Sequence, residues 1–156
     1  MTIVDLIGAL PVHPTKTYDE RALAQIRRLV LHHTAGPATQ TPVQIAQFHV
    51  GGRDWPGIAY HYLVRDDGTV YKCWPARTVT YCVRGHNASS LCVALIGDFD
   101  LEPAPGPQWD AAVSLFRDLR AGYGPLPIEG HREIVATACP GRFVDMDRFR
   151  LEVLGA

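Results

Sequence analysis

The sequence has few of the features that assign a chain to a special class of protein. Its 156 residues contain no internal repeat, no block of like charge and no run near the roughly 18 apolar residues typical of a membrane helix. The formal net charge is −1, so no strong overall field attracts nucleic acid or an anionic membrane. The apolar N-terminus has no basic leader, so we expect no secretory signal. Any polymer that this protein binds would have to be held by local groups.

Cysteine is also scarce. The four cysteines are Cys73, Cys82, Cys92 and Cys139, which form no C-x-x-C motif and are too sparse for a disulfide scaffold. In a reducing compartment, buried thiols or metal ligands are the expected states. A disulfide between Cys73 and Cys82 is an alternative if a hairpin brings the two residues together.

Helical and extended patterns alternate along the chain. Extended patterns cover residues 28–33, 58–65, 69–72 and 91–96; helical patterns cover 18–28, 42–50, 108–121 and 147–154. Thr41 and Pro42 are typical of a helix start, Gly122 is the predicted stop of the third helix, and Asp66-Asp67-Gly68 predicts a hairpin turn. These patterns predict a single α/β domain over residues 1–156, with a mixed central sheet flanked by helices and no separate wall-binding module.

Three residues at the ends of extended segments are candidate zinc ligands: His32, His131 and Cys139. Imidazole and thiolate suit zinc, and three protein ligands leave a fourth position for water. Their spacing alone is a weak signal, because seven histidines and four cysteines make a chance triple easy. The alternative is that His32 packs beside the sheet, His131 caps a turn and Cys139 is a small buried hydrophobe. His33 competes with His32, but neighbouring side chains on a strand face opposite ways.

Four ordered blocks carry a family resemblance. They are Leu29-Val-Leu-His-His-Thr-Ala-Gly, the segment 58–71 beginning Ile-Ala-Tyr-His-Tyr, the segment 85–99 beginning Gly-His-Asn-Ala, and Gly130-His-Arg-Glu-Ile-Val-Ala-Thr-Ala-Cys-Pro-Gly. Together they resemble the type 2 N-acetylmuramoyl-L-alanine amidases, the family of phage amidase-type lysozymes and animal peptidoglycan recognition proteins. The resemblance covers about residues 25 to 145 and implies that family's α/β fold.

The resemblance implies one Zn²⁺ per chain, held by His32, His131 and Cys139. It further implies that Tyr60 lies beside the metal and steadies the oxyanion, with Thr137 where phage members often carry lysine. A threonine hydroxyl can donate to an oxyanion but lacks the positive charge. The implied reaction is hydrolysis of the amide between N-acetylmuramic acid and L-alanine of bacterial peptidoglycan.

Candidate substrate-binding residues are Trp55, Trp74, Arg84 and Asn87. Aromatic faces stack on sugar rings, and a guanidinium pairs with a peptide carboxylate. Both tryptophans also fit a packing role in the core, and Asn87 fits a loop-shaping role. Cys82 stands where relatives often have histidine; its simpler interpretation is a small buried residue, since a fourth ligand would close the open position.

Two other functions fit the same resemblance. Non-catalytic peptidoglycan-binding members have lost the cysteine ligand, whereas Cys139 is present. Cytoplasmic muropeptide-recycling amidases are similar but carry glutamate at the position of Ala94 and tend to use aspartate as the third ligand. We therefore expect a phage-type endolysin: a monomer with peptidoglycan as its partner, no nucleic acid or membrane partner, held in the cytoplasm until it is released to the cell wall.

Overall fold

A six-stranded mixed sheet forms the centre of the computed structural model, which describes residues 1–155. The strands are β1 (Ile3–Asp5), β2 (Arg28–His33), β3 (Tyr62–Val64), β4 (Val70–Lys72), β5 (Ser90–Leu95) and β6 (Ile128–Gly130). Their order across the sheet is β1-β4-β3-β5-β2-β6. Only β3 and β4 run antiparallel to each other, joined by the turn at 66–68. The predicted α/β class with a mixed central sheet is confirmed.

The two central strands determine where the functional side chains go. β2 and β5 pair in parallel, and every residue of β5 is buried, as a strand covered on both faces requires. Leu29 and Leu31 of β2 pack into the larger core, whereas Val30 packs on the opposite face beside Cys92. Because the side-chain period is two, His32 follows Val30 onto this second face.

Three helices cover the sheet: α1 (Pro42–Gln47), α2 (Gly106–Tyr123) and α3 (Met146–Leu154). Thr41 caps α1 as predicted, its side chain accepting the N–H of Gln44. In the larger core, the ring of Phe116 on α2 meets that of Phe149 on α3 edge to face, with centroids 4.9 Å apart. No helix within residues 1–155 is both long and apolar enough to cross a membrane.

Several element boundaries differ from the prediction. The predicted helix over 18–28 is only a 3-10 turn at Leu23–Gln25, because Ala22 is extended and the guanidinium of Arg21 is drawn into buried bonds with backbone carbonyls. The strand predicted over 58–65 is shortened to β3. Helix α2 runs past Gly122 and ends at Gly124, whose φ of +96° suits glycine and breaks the helix. Strand β1 was not predicted.

Candidate metal centre

His32 and His33 lie on opposite faces of β2, as strand alternation predicts. The Nδ1 atom of His32 lies 3.6 Å from the Sγ atom of Cys139. His33 points toward the larger core, where its Nδ1 accepts the N–H of Phe99. The backbone N–H of His33, in contrast, points at the Cys139 sulfur, 3.4 Å away. His32 is therefore the histidine that meets Cys139.

His131 and Cys139 reach His32 because β6 pairs in parallel with β2. His131 opens the 3-10 turn that follows β6, and Cys139 lies in the loop beyond it. The Arg132 guanidinium donates to the carbonyls of Gly141 and Val144, both at 2.7 Å, and its backbone N–H donates to the carbonyl of Cys139. These bonds hold the loop against the end of β6.

The three ligand atoms of His32, His131 and Cys139 all lie within 4.8 Å of one another. The two imidazole centroids are 4.6 Å apart. A tetrahedral zinc ion bound at about 2.1 Å to nitrogen and about 2.3 Å to sulfur separates those two atoms by about 3.6 Å. The distance from His32 Nδ1 to Cys139 Sγ is 3.6 Å. The donor set and its spacing fit a zinc ion.

Burial sets the protonation of these groups. It lowers the pKa of His32 well below its usual value, with smaller contributions from His131 and His33, and it also lowers the pKa of His131. The imidazoles are therefore neutral, the form that binds a metal. Burial raises the pKa of the Cys139 thiol to about 12. A cation bound beside that sulfur would reverse the effect, since coordinated thiols lose their proton.

A groove of about 690 Å³ opens over the three residues. Tyr60 lines it with its ring centroid 5.3 Å from that of His32. Burial raises the pKa of Tyr60 above its usual value, so the phenol stays protonated and able to donate. Thr137 is an exposed part of the groove wall; its Oγ1 accepts the N–H of Cys139 at 3.3 Å, and its hydroxyl proton remains free to donate.

Comparisons with known proteins give the family. Residues 22–142 match the profile of the family described as N-acetylmuramoyl-L-alanine amidase. The chain belongs to this amidase family. The solved structure of the endolysin from Thermus scotoductus bacteriophage Ph2119 is similar over 97% of this chain and 98% of that chain, at 36% identity and a TM-score of 0.85. The amidase LysC from Clostridium intestinale is similar over 99% and 98%, at 26% identity and a TM-score of 0.81.

Animal members of the family are also similar. Peptidoglycan-recognition protein SC1a of Drosophila melanogaster is 27% identical in an alignment 128 positions long, which covers 74% of this chain and 68% of that protein. The relatives of this chain thus include an endolysin, an amidase and a peptidoglycan-recognition protein.

The four candidate substrate-binding residues of this amidase-family chain fall into two pairs. Trp55 and Arg84 line the groove. Trp74 does not: its Nε1 donates to the carbonyl of Ile58. Asn87 also lies outside the groove lining, and its Oδ1 accepts the N–H of Val83 at 2.8 Å. Trp74 therefore packs under the groove wall, and Asn87 shapes the loop that carries Arg84.

The cysteine pairing corrects the expectation drawn from the sequence. Cys82 and Cys92 form a disulfide, whereas Cys73 and Cys139 are free. The expectation of four unpaired cysteines is therefore wrong, and so is the open alternative of a pair between Cys73 and Cys82. The bond forms because the segment carrying Cys82 folds back over β5 as part of the groove wall, a contact that local spacing does not reveal.

His49 is a groove residue to which the sequence pattern assigns no role. It lies in the wide turn Phe48–Gly52 that follows α1, and its ring is 5.6 Å from that of Tyr60. Its Nδ1 accepts the N–H of Ala59 at 3.0 Å, which fixes the backbone next to Tyr60. The only local signal was its place at the end of a predicted helix. Arg53 and Tyr81 also line the groove without having been predicted.

Proposed function

We propose that this chain is a zinc-dependent N-acetylmuramoyl-L-alanine amidase that hydrolyses the amide between N-acetylmuramic acid and L-alanine of bacterial peptidoglycan. One observation carries the proposal: His32, His131 and Cys139 offer three ligand atoms within 4.8 Å of one another in an open groove. Three protein ligands leave a fourth position open, which is typical of catalytic rather than structural zinc. We further propose that the chain works as a monomeric endolysin that is released to the cell wall.

Zinc held there would supply Lewis-acid polarisation of the scissile carbonyl and would lower the pKa of a water molecule in the open position. The chain's own residues would do the rest. The Tyr60 phenol, kept protonated by burial, donates to the oxyanion as it forms. The Thr137 hydroxyl, which lines the same groove, donates a second hydrogen bond to the oxyanion, without the charge that a lysine would bring.

Substrate would be held by the walls of the groove. The face of Trp55, with its ring 6.1 Å from that of Tyr81, offers a surface for a sugar ring. The exposed Arg84 offers a guanidinium for a carboxylate of the peptide stem. Glu133 is not available as a general base, because its carboxylate accepts the N–H of Gly130 and pairs with Arg150.

The competing function is peptidoglycan binding without cleavage. The similarity to a peptidoglycan-recognition protein supports this alternative. The presence of Cys139 next to His32 favours the enzyme, since a binding module has no need of a half-buried thiol and two imidazoles around one point.

The test combines metal analysis with a turbidity assay on purified cell walls. We expect one zinc per chain and clearing of the walls by the parent protein, and loss of both in Cys139→Ser. Cys73→Ala is the matched control, because Cys73 is a free, buried thiol outside the groove lining and should be dispensable. Undiminished lysis by metal-free protein or by Cys139→Ser would refute the zinc mechanism. Binding to walls without release of L-alanine amino groups would favour the binding module.

A further inference from the structure

A second set of potential zinc ligands shares His32. The two sulfur atoms of Cys82 and Cys92 and a ring nitrogen of His32 lie within 4.8 Å of one another. All three residues are buried, with His32 and Cys92 exposing 1% and 0% of their surface and Cys82 6%. The sulfur atoms are joined as a disulfide, so this set cannot bind a metal while the bond is intact.

In the part of the chain that the structure describes, no hydrogen bond at the second ring nitrogen of His32 restricts the side chain to one of the two ligand sets. Its Nε2 atom is buried and has no hydrogen-bond partner among residues 1–155. Zinc-binding histidines usually donate their second ring N–H to a carbonyl or carboxylate, which fixes the ring. His32 lacks that restraint. A neutral imidazole also has a single lone-pair nitrogen, so His32 can serve only one ion at a time.

The backbone around the two cysteines is held by bonds that do not depend on the disulfide. Cys92 lies within β5, and its N–H donates to His61 Nδ1 at 3.1 Å. The N–H of Val83, next to Cys82, donates to the Asn87 side chain at 2.8 Å. The two sulfurs should therefore stay near His32 after the bond is broken.

We propose that reduction of the Cys82–Cys92 disulfide creates a second zinc site, formed by His32, Cys82 and Cys92, which takes His32 away from the catalytic set. This inference rests on the proposed zinc-dependent function. A dithiol supplies the two electrons and two protons: its own sulfurs join, and Cys82 and Cys92 become thiols. Binding of Zn²⁺ by the pair then releases two protons to solvent.

The ligand chemistry of the two sets favours zinc binding by the second set. The catalytic set offers two imidazoles and one thiolate, whereas the second set offers one imidazole and two thiolates, a softer combination that zinc also binds tightly. The disulfide would therefore protect the catalytic centre by removing its competitor. In a compartment that keeps thiols reduced, the chain would hold zinc in an unproductive place, and oxidation would return it to His131 and Cys139.

Cobalt(II) substitution tests the site without relying on activity, since cobalt–thiolate charge-transfer absorption reports sulfur ligands. In Cys139→Ser the catalytic thiolate is gone, so we expect no such band while the disulfide is intact. After reduction, when all three cysteines of this variant titrate as thiols, the band should appear. It should be absent from reduced Cys139→Ser that also carries Cys92→Ala. No band in reduced, folded Cys139→Ser would overturn the proposal, as would unfolding on reduction, because the site needs the folded backbone.

Activity provides the second readout. With zinc present, reduction of the parent protein should lower its lytic rate by roughly tenfold or more if the two-thiolate set is favoured, and reoxidation should restore it. The variant Cys82→Ala with Cys92→Ala loses the disulfide and both competing sulfurs, so its rate should not respond to the reductant. An equal loss in this variant would mean that the reductant acts elsewhere. If the oxidised parent contains no zinc and cuts no walls, the proposed function fails, while the cobalt test still decides the second site.

Discussion

Replacing Tyr60 by phenylalanine tests how the groove handles developing negative charge, because it removes one oxygen atom and little else. The Tyr60 ring lies 5.3 Å from His32 and 5.6 Å from His49, and both contacts survive in phenylalanine. The hydrogen bond beside Tyr60, from the Ala59 N–H to His49 Nδ1, does not involve the Tyr60 hydroxyl and is kept in the variant. We therefore expect the free energy of unfolding to change by less than about 1 kcal/mol.

The catalytic effect should be much larger. Burial raises the pKa of Tyr60, so the phenol is a donor throughout the working pH range. Loss of one preorganised oxyanion donor costs about 10²–10³ in kcat, or about 2.7–4 kcal/mol of transition-state stabilisation. Because the hydroxyl contacts the substrate carbonyl mainly as charge develops, kcat should fall far more than KM rises.

The assay is release of L-alanine amino groups from purified walls or a soluble muropeptide, with zinc content measured on the same samples. Tyr62→Phe is the control, since Tyr62 is a buried tyrosine on β3 outside the groove. A Tyr60→Phe protein with one zinc per chain and kcat within about twofold of the parent would refute the oxyanion role. Loss of zinc in that variant would instead mean that the hydroxyl supports the metal site.

Two further predictions concern stability. Burial lowers the pKa of His49 to about 4 and of His61 to about 3, against 6.5 when unfolded, so the unfolded chain binds more protons in this interval. The contribution of these histidines to stability should therefore be present above about pH 6.5 and fall below it, by roughly 1 kcal/mol per histidine at about pH 5.5. Equal urea midpoints at about pH 7 and about pH 5.5 would contradict this. Gly141→Ala should destabilise the Cys139 loop and lower the midpoint of thermal unfolding, because its φ is +107° and the new Cβ would lie 2.5 Å from the Phe99 carbonyl carbon. Gly122→Ala, in open space on α2, should instead stabilise by about 0.5–1 kcal/mol, and the reverse order of the two midpoints would show that the loop tolerates the clash.

Elements with a strong local pattern were predictable. β2 has the bounds that the run Arg28–His33 indicates, and Thr41 caps α1 through its own side chain. The end of α2 was not predictable, because either Gly122 or Gly124 could end the helix. Only the backbone path toward β6 selects a positive φ at Gly124. The 18–28 segment lost its helix because Arg21 finds better partners in the core than a helical turn offers.

By itself the sequence determined the family and the fold class and singled out His32, His131 and Cys139 as candidate ligands, since these depend on ordered motifs and on periodicities of two and 3.6 residues. The tertiary structure alone decided what meets across long distances in the chain. His32 and Cys139 are 107 residues apart and meet because β6 lies beside β2. Cys82 forms its disulfide with Cys92 rather than Cys73 because the segment that carries Cys82 folds back over β5. Such contacts depend on strand order and chain path, which no local pattern contains.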